Sequence, residues 1–264
     1  MDVALIKRSG KIISLHRMVQ KAFIDSSCGL QSSGLQQRAF HGAATLLNHQ
    51  FPKMGGSVSL YDHWGKCAKY LKHALSLAEL FKSSNSSDKV LKSSPDLDEL
   101  LKNCAWYQYE IGEHEESLKT LQIAFDACED KTGLIYSQFC NNAACIYYEL
   151  NDLANCRAYN EQALSIRKKK LKSDDVDLAN TYSNLGCLLL SENRLDESLE
   201  MYRKAETIER KYTQDDPEYL CLTVLSIGRV HFVKKKFEIA RSHYEQARKM
   251  ATPDGWVMAT LVTP

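Results

Sequence analysis

Small residues recur along this chain at a constant distance, and the apolar positions around them repeat every three to four residues, the period of a helix with one buried face. The pair Leu185-Gly186 is followed by Asn193, Ser198, Tyr202 and Ala205. Shifting by 42 residues (186 to 144, and 186 to 228) gives Ala143-Ala144, Asn151, Cys156, Asn160 and Ala163 on one side, and Ile227-Gly228, Lys235, Ala240, Tyr244 and Ala247 on the other. A further copy lies 39 residues before the earlier of these (144 to 105): Cys104-Ala105, Gly112, Ser117, Leu121 and Ala124. Small residues thus stand 12 and 19 places after each of residues 105, 144, 186 and 228. A small residue in one helix lets a second helix cross closely. The two in the second helix are seven apart and share a face. Between them a short polar turn carries Gly112, Asn151, Asn193 or Lys235, and Gly and Asn suit a helix C-terminus. The pattern predicts four helical hairpins, none able to bury its apolar face alone, stacked into a solenoid.

Ahead of the repeats, Phe40, Ala43, Ala44 and Leu47 mark one helix over 35–50, and Trp64, Cys67, Tyr70, Leu71, Ala74, Leu75 and Ala78 mark another over 60–81. Phe51-Pro52 and Gly55-Gly56 separate the two. The serines of 83–87 and Ser93-Ser94-Pro95 read as a linker and a mobile boundary. Val3–Lys7 and Ile12–Leu15 read as a β-hairpin around Arg8-Ser9-Gly10-Lys11, and His16–Ile24 as a helix.

The stretch from Ala179 to Leu190 and the stretch from Leu195 to Ala205 resemble the tetratricopeptide repeat. The 42-residue period, with Asp174-Asp175 and Asp215-Asp216-Pro217 between hairpins, resembles the kinesin-light-chain variety of that repeat. The resemblance covers residues 97–250 and implies an all-α, right-handed solenoid. A second resemblance covers residues 4–81. Ser14-Leu15-His16-Arg17-Met18-Val19-Gln20, Phe51-Pro52 and Trp64-Gly65-Lys66-Cys67 are similar in order and spacing to the sensor side of fungal NLR-like signal-transduction ATPases. It implies that residues 1–27 are the remnant of a winged-helix domain and that His16 matches a phosphate-contacting histidine. The phosphate loop G-x-x-x-x-G-K-[ST] does not occur in the chain, so His16 is expected to be an orphaned structural residue and nucleotide binding is not expected. The expected organisation is 1–27 winged-helix remnant, 28–96 helical segment and linker, 97–250 repeats, and 251–264 an apolar tail. The chain reads as a sensor half without its motor, either a truncated product or a stand-alone adaptor.

Composition narrows the function. Of 264 residues, Lys and Arg number 34 and Asp and Glu 33; that balance argues against a nucleic-acid partner, which selects a basic excess. No apolar stretch reaches the roughly 18 residues a membrane span needs, and the N-terminus lacks the form of a secretory signal. Nine cysteines without any C-x-x-C, among them Cys104, Cys145, Cys156 and Cys187, read as small buried hydrophobes in a reducing, cytoplasmic setting. The histidines are scattered, and none of the hydrolase, zinc or dinucleotide motifs is found, so neither catalytic residues, nor a metal, nor a cofactor is expected. The stretch Arg167-Lys168-Lys169-Lys170-Leu171-Lys172 reads as a solvated helix end rather than a nuclear signal.

The tetratricopeptide resemblance implies that an Asn just before the large-small pair faces the concave side: Asn103, Asn142 and Asn184, with Ser226 in the last copy. Three residues on stand Trp106, Cys145, Cys187 and Arg229; six on, Tyr109, Tyr148, Leu190 and Phe232. Amides that donate and accept, beside aromatic rings, suit a peptide or helix. The expected activity is a non-enzymatic scaffold or adaptor holding a protein or peptide partner through Asn103, Trp106, Tyr109, Asn142, Tyr148, Asn184 and Arg229. The alternative is a ligand-sensing regulatory fragment of an NLR-like switch protein.

Overall fold

The computed structural model of the chain describes residues 6–9, 12–15, 33–54, 59–84, 91–212 and 217–251. Two four-residue strands, β1 (Ile6–Ser9) and β2 (Ile12–Leu15), pair antiparallel with Ile6 opposite Leu15 and Ser9 opposite Ile12. The hairpin falls on the expected stretch, but β1 takes in Arg8 and Ser9, which the sequence pattern gives to the turn. The helix expected at His16–Ile24 and the tail from 252 onward lie outside the described residues.

Ten helices follow among the described residues. Helix α1 (Ser33–Gln50) and α2 (Trp64–Ser84) precede the repeats, with a single 3-10 turn, Tyr61–His63, leading into α2. The repeats are α3 (Pro95–Glu110) with α4 (His114–Ala127), α5 (Leu134–Glu149) with α6 (Leu153–Lys170), α7 (Val176–Ser191) with α8 (Leu195–Glu209), and α9 (Pro217–Val233) with α10 (Phe237–Met250). The two helices of each hairpin pack on one another, and each of the first three hairpins packs on the next, so the four units stack in sequence order.

The starts and turns have local causes. Ser94 caps α3, its side chain accepting from Leu97 N–H with Pro95 behind it. Asp152 and Asp175 cap α6 and α7 in the same manner. All four hairpin turns use one residue with positive φ: Gly112 (82°), Asn151 (57°), Asn193 (60°) and Lys235 (58°). At each, that residue's N–H bonds back three residues and the next N–H bonds back five, as in Gly112 to Tyr109 and Glu113 to Gln108. Both bonds satisfy carbonyls that a helix end leaves open.

The small positions meet as the spacing requires. Ala105, Ala144 and Gly186 are buried under Ser117, Cys156 and Ser198, and Ala124, Ala163, Ala205 and Ala247 are fully buried. The serines add a bond: Ser117 Oγ donates to the Ala105 carbonyl (2.6 Å) and Ser198 Oγ to that of Gly186 (2.8 Å).

The segment before the repeats is part of the same core. Phe40, Ala44, Phe51, Leu60, Cys67, Ala74 and Phe81 form one buried cluster with Leu97, Leu100, Cys104, Leu121 and Phe139. Asp96, at the start of α3, accepts from Thr45 Oγ1 (2.6 Å) and Asn48 Nδ2 (2.8 Å) on α1, and these bonds hold its carboxyl below the ordinary carboxylate range. Gln37 exchanges two hydrogen bonds with the backbone of Lys92. The break anticipated at residue 96 is therefore crossed by packing and by polar contacts. Among the described residues no helix is long and apolar enough to cross a membrane.

Candidate functional site

The inner faces of α3, α5, α7 and α9 line a concave cavity of about 700 Å³. Its lining follows one helical stripe. On α5 it is Gln138, Asn141, Asn142 and Cys145; on α7, Val176, Asn180, Ser183 and Asn184; on α9, Leu222 and Thr223. On α5 these are i, i+3, i+4 and i+7 positions and on α7 i, i+4, i+7 and i+8, and the stripe begins a turn earlier than the sequence pattern places it.

Of the expected residues, Trp106, Tyr109, Asn142 and Asn184 line this cavity and Asn103, Tyr148 and Arg229 do not. Asn103 is fully buried. Its Nδ2 donates to the Glu99 carbonyl (2.9 Å) and its Oδ1 accepts from Met54 N–H (3.1 Å), so the amide ties the preceding loop to α3. Tyr148 turns toward the next hairpin, where its hydroxyl meets Ser191 Oγ at 2.9 Å. Arg229 is exposed on α9 away from the cavity. Tyr148, Leu190 and Phe232, the counterparts of Tyr109 in the later copies, do not line the cavity.

The amides differ in how they are held. Asn142 Nδ2 donates to the Lys102 carbonyl (3.4 Å), and its Oδ1 is buried without a hydrogen-bond partner. Asn184 Nδ2 reaches Asn141 Oδ1 (3.1 Å) and Cys145 Sγ (3.4 Å), joining α7 to α5.

One end of the groove is aromatic. Tyr61, in the 3-10 turn, and Trp64, the first residue of α2, line it together with Trp106 and Tyr109. Tyr61 and Trp64 rings stand 5.1 Å apart and Trp106 and Tyr109 4.9 Å apart. The Glu110 carboxylate organises this end, accepting from Trp64 Nε1 (2.9 Å), Trp106 Nε1 (2.7 Å) and the Leu60 N–H (2.9 Å). Burial raises the Tyr109 phenol above its ordinary pKa.

The other end is charged, through two residues that sequence reasoning missed. Arg167 is not part of a solvated terminus: it is 2% exposed, whereas Lys168, Lys169 and Lys170 are exposed. Its Nη1 donates to the Asp177 carbonyl (2.7 Å), Thr181 Oγ1 (2.7 Å) and Asn141 Oδ1 (3.2 Å). Burial pushes the guanidinium below its usual pKa, with Asp177 opposing. One repeat on, Glu209 occupies the equivalent place and accepts from Thr223 Oγ1 at 3.0 Å. Burial raises its carboxyl to about 7, the bond from Thr223 opposing. Both residues stand four places after a buried Ala, Ala163 or Ala205, and that i, i+4 relation was the available signal.

All described cysteines are free thiols. Burial pushes Cys140 and Cys145 up to about 12 and Cys156 up to about 11, which disfavours the reactive thiolate. No group of three His, Cys, Asp or Glu side chains among the described residues is placed to hold a metal ion.

Residues 136–211 match the family model of the tetratricopeptide repeat. No curated protein matches the chain. Among solved structures, BtubC (BKLC) from P. vanneervenii is 17% identical over 89% of this chain and 94% of its own, with a TM-score of 0.55. A protein of Podosopora anserina described as a putative kinesin light chain with nearly identical TPR-like repeats is 12% identical over 89% of this chain and 100% of its own, with a TM-score of 0.54. A point variant of that protein is 16% identical over 72% of this chain and 93% of its own, at 0.52. At these identities the likeness is one of fold, and it gives a tetratricopeptide-repeat solenoid with kinesin-light-chain-like neighbours.

Proposed function

We propose that this tetratricopeptide-repeat solenoid is a non-enzymatic scaffold that holds an extended segment of a protein partner in its concave groove. The fold is one that suggests a protein-interaction role. The observation that carries the groove reading is Asn142, whose Oδ1 is buried in the cavity wall without a donor while its Nδ2 is held by the Lys102 carbonyl. A buried acceptor left open costs free energy, on the order of 1–3 kcal/mol, that a peptide N–H would recover. Asn141, Asn180 and Asn184 extend the polar wall, and Trp106 and Tyr109 offer an apolar seat beside it. Partner-bearing residues in this reading are Trp106, Tyr109, Asn142 and Asn184, with Asn103 and Tyr148 supporting the framework.

The alternative reading, a ligand-sensing region of an NLR-like switch protein, rests on the sequence resemblance over residues 4–81. It would use the same groove.

The test is selection from a random-peptide display library on the wild-type protein, followed by binding of the enriched peptides to Asn142→Ala and Asn184→Ala. Loss of about tenfold or more in affinity, with helicity by circular dichroism unchanged, supports the groove. Enriched peptides that bind all three proteins equally, or a library that yields none, would remove it.

A further inference from the structure

The third hairpin shows what covers a hairpin's outer face, and the last hairpin carries the same face uncovered. On the third, Leu199 and Tyr202 of α8 are buried with Ile227 and Val230 of α9, and Leu190 and Leu195 pack beside them. A shift of 42 residues (199 to 241, 202 to 244) puts Arg241, Tyr244, Phe232 and Phe237 in the places of Leu199, Tyr202, Leu190 and Leu195. Among the described residues no helix follows α10. Tyr202 is 1% exposed, whereas Tyr244 is only half-buried. Phe232 and Phe237 are 55% and 56% exposed, their rings 5.5 Å apart. With Tyr244 they line a shallow hollow of about 410 Å³.

The charges on this face complement their own reversed order. Glu238, Arg241, Glu245 and Arg248 line the same hollow. Steps of three, four and three residues keep them on one side of α10. Glu238 and Arg248 stand five residues to either side of position 243, and Arg241 and Glu245 two residues to either side. Two copies of α10 laid antiparallel about a two-fold axis level with that position set every acid against a base. A parallel pair in register sets each charge against its own kind, so the pattern selects one orientation. Within one chain Arg241 Nε meets Glu245 Oε1 at 3.0 Å, but both side chains are largely exposed, at 73% and 54%. The two-fold joins that pair to its copy in a ring of alternating charge. Glu238 and Arg248 have no ion-pair partner among the described residues. The tail, residues 252–264, carries a single charged side chain, Asp254, and cannot complement four. A second copy supplies all four complements.

We propose that this face binds a second copy of the chain: α10 packs antiparallel on the partner's α10, with Glu238 against the partner's Arg248 and Arg241 against the partner's Glu245. The interface is isologous, so each contact occurs twice. Exposed ion pairs add little affinity and fix the register. Burial of Phe232, Phe237 and Tyr244 along one flank of the seam supplies the attraction. No residue of α10 lines the concave groove, so the proposal does not rest on the groove reading.

The test is sedimentation velocity of the full chain across a concentration series. A single helix seam is small, so the dimer should dissociate in the range of roughly 1–100 μM. Raising NaCl from about 50 to about 500 mM should weaken it about threefold or more. Arg241→Glu/Arg248→Glu makes the stripe wholly acidic, and Glu238→Arg/Glu245→Arg makes it wholly basic. Each variant alone should lose about tenfold or more in association, and the two mixed should form a heterodimer close to wild-type strength. All four positions are exposed, and circular dichroism checks the fold. Phe237→Ser probes the aromatic flank separately and should also weaken the dimer about tenfold. A wild type that stays monomeric throughout overturns the proposal and leaves the tail or a different protein as the occupant of the face. A dimer that ignores salt, one that persists in both charge variants, or a mixture that fails to pair overturns it too. None of these outcomes bears on the groove, which the Asn142 and Asn184 variants test.

Discussion

Gly186 and Tyr202 are shaped for one another: a Cβ added to Gly186 would lie 2.8 Å from Tyr202 Cε1 and 2.9 Å from Cδ1 and Cζ. The last hairpin repeats the relation, with Gly228 and Tyr244 at 2.6 Å. The first two hairpins carry Ala105 with Leu121 and Ala144 with Asn160, so a methyl on one helix goes with a smaller side chain on the other. Gly186→Ala should therefore destabilise by about 1–2 kcal/mol, since overpacking outweighs the gain in helix propensity. Gly186→Ala combined with Tyr202→Leu recreates the first hairpin's pair and should recover part of that loss. Urea unfolding of both single variants and the double gives the coupling; strict additivity would show that the close fit carries no energy.

Lys235 is the one hairpin turn where a long side chain sits at φ 58°, in the place held by Gly112, Asn151 and Asn193. The left-handed region costs an L-residue roughly 1–2 kcal/mol and glycine little. Lys235→Gly should raise stability by about 0.5–1 kcal/mol, and Gly112→Ala should lower it by a similar amount. Thermal melts of the two variants would move in opposite directions.

Arg167 holds α6, α5 and α7 together from a fully desolvated position. Arg167→Ala leaves the Asp177 carbonyl and Thr181 buried without that donor and should cost about 3 kcal/mol or more. Lys168→Ala, one residue on and exposed, should change stability by less than about 0.5 kcal/mol. Equal effects of the two in urea titrations would mean that the basic cluster is solvated throughout.

Glu209 makes stability depend on pH. Its carboxyl is raised to about 7 in the folded protein from an ordinary 4.5, so the folded state binds the proton more tightly than the unfolded chain. The carboxyl's contribution is fully present below pH 4.5 and is lost as pH rises through about 7, a change on the order of 3 kcal/mol. Glu209→Gln removes the titration and keeps an oxygen for Thr223. At pH 8 it should melt above the wild type, with the gap closing toward pH 4.5. A gap that is constant across this range would place the carboxyl at its ordinary value.

Local order was legible in the sequence because helical periodicity and turn chemistry act over a few residues. The four hairpins, their small contact positions and the four residues at the turns can all be read along the chain, since each needs a particular residue size or backbone angle at a particular place. Which polar residues reach the groove was only partly readable. Asn142 and Asn184 are there, but Asn103 is consumed by the Met54 loop, a segment 49 residues earlier in the chain, and no local pattern announces that partner. Arg167 lies in the last turn of its helix and Glu209 at the end of its own, and the neighbouring hairpin, through Asp177 and Thr181 or Thr223, covers them. Periodicity determines which face of a helix is buried. The partner that buries it follows from contacts between distant residues, and these exist only once the helices have stacked.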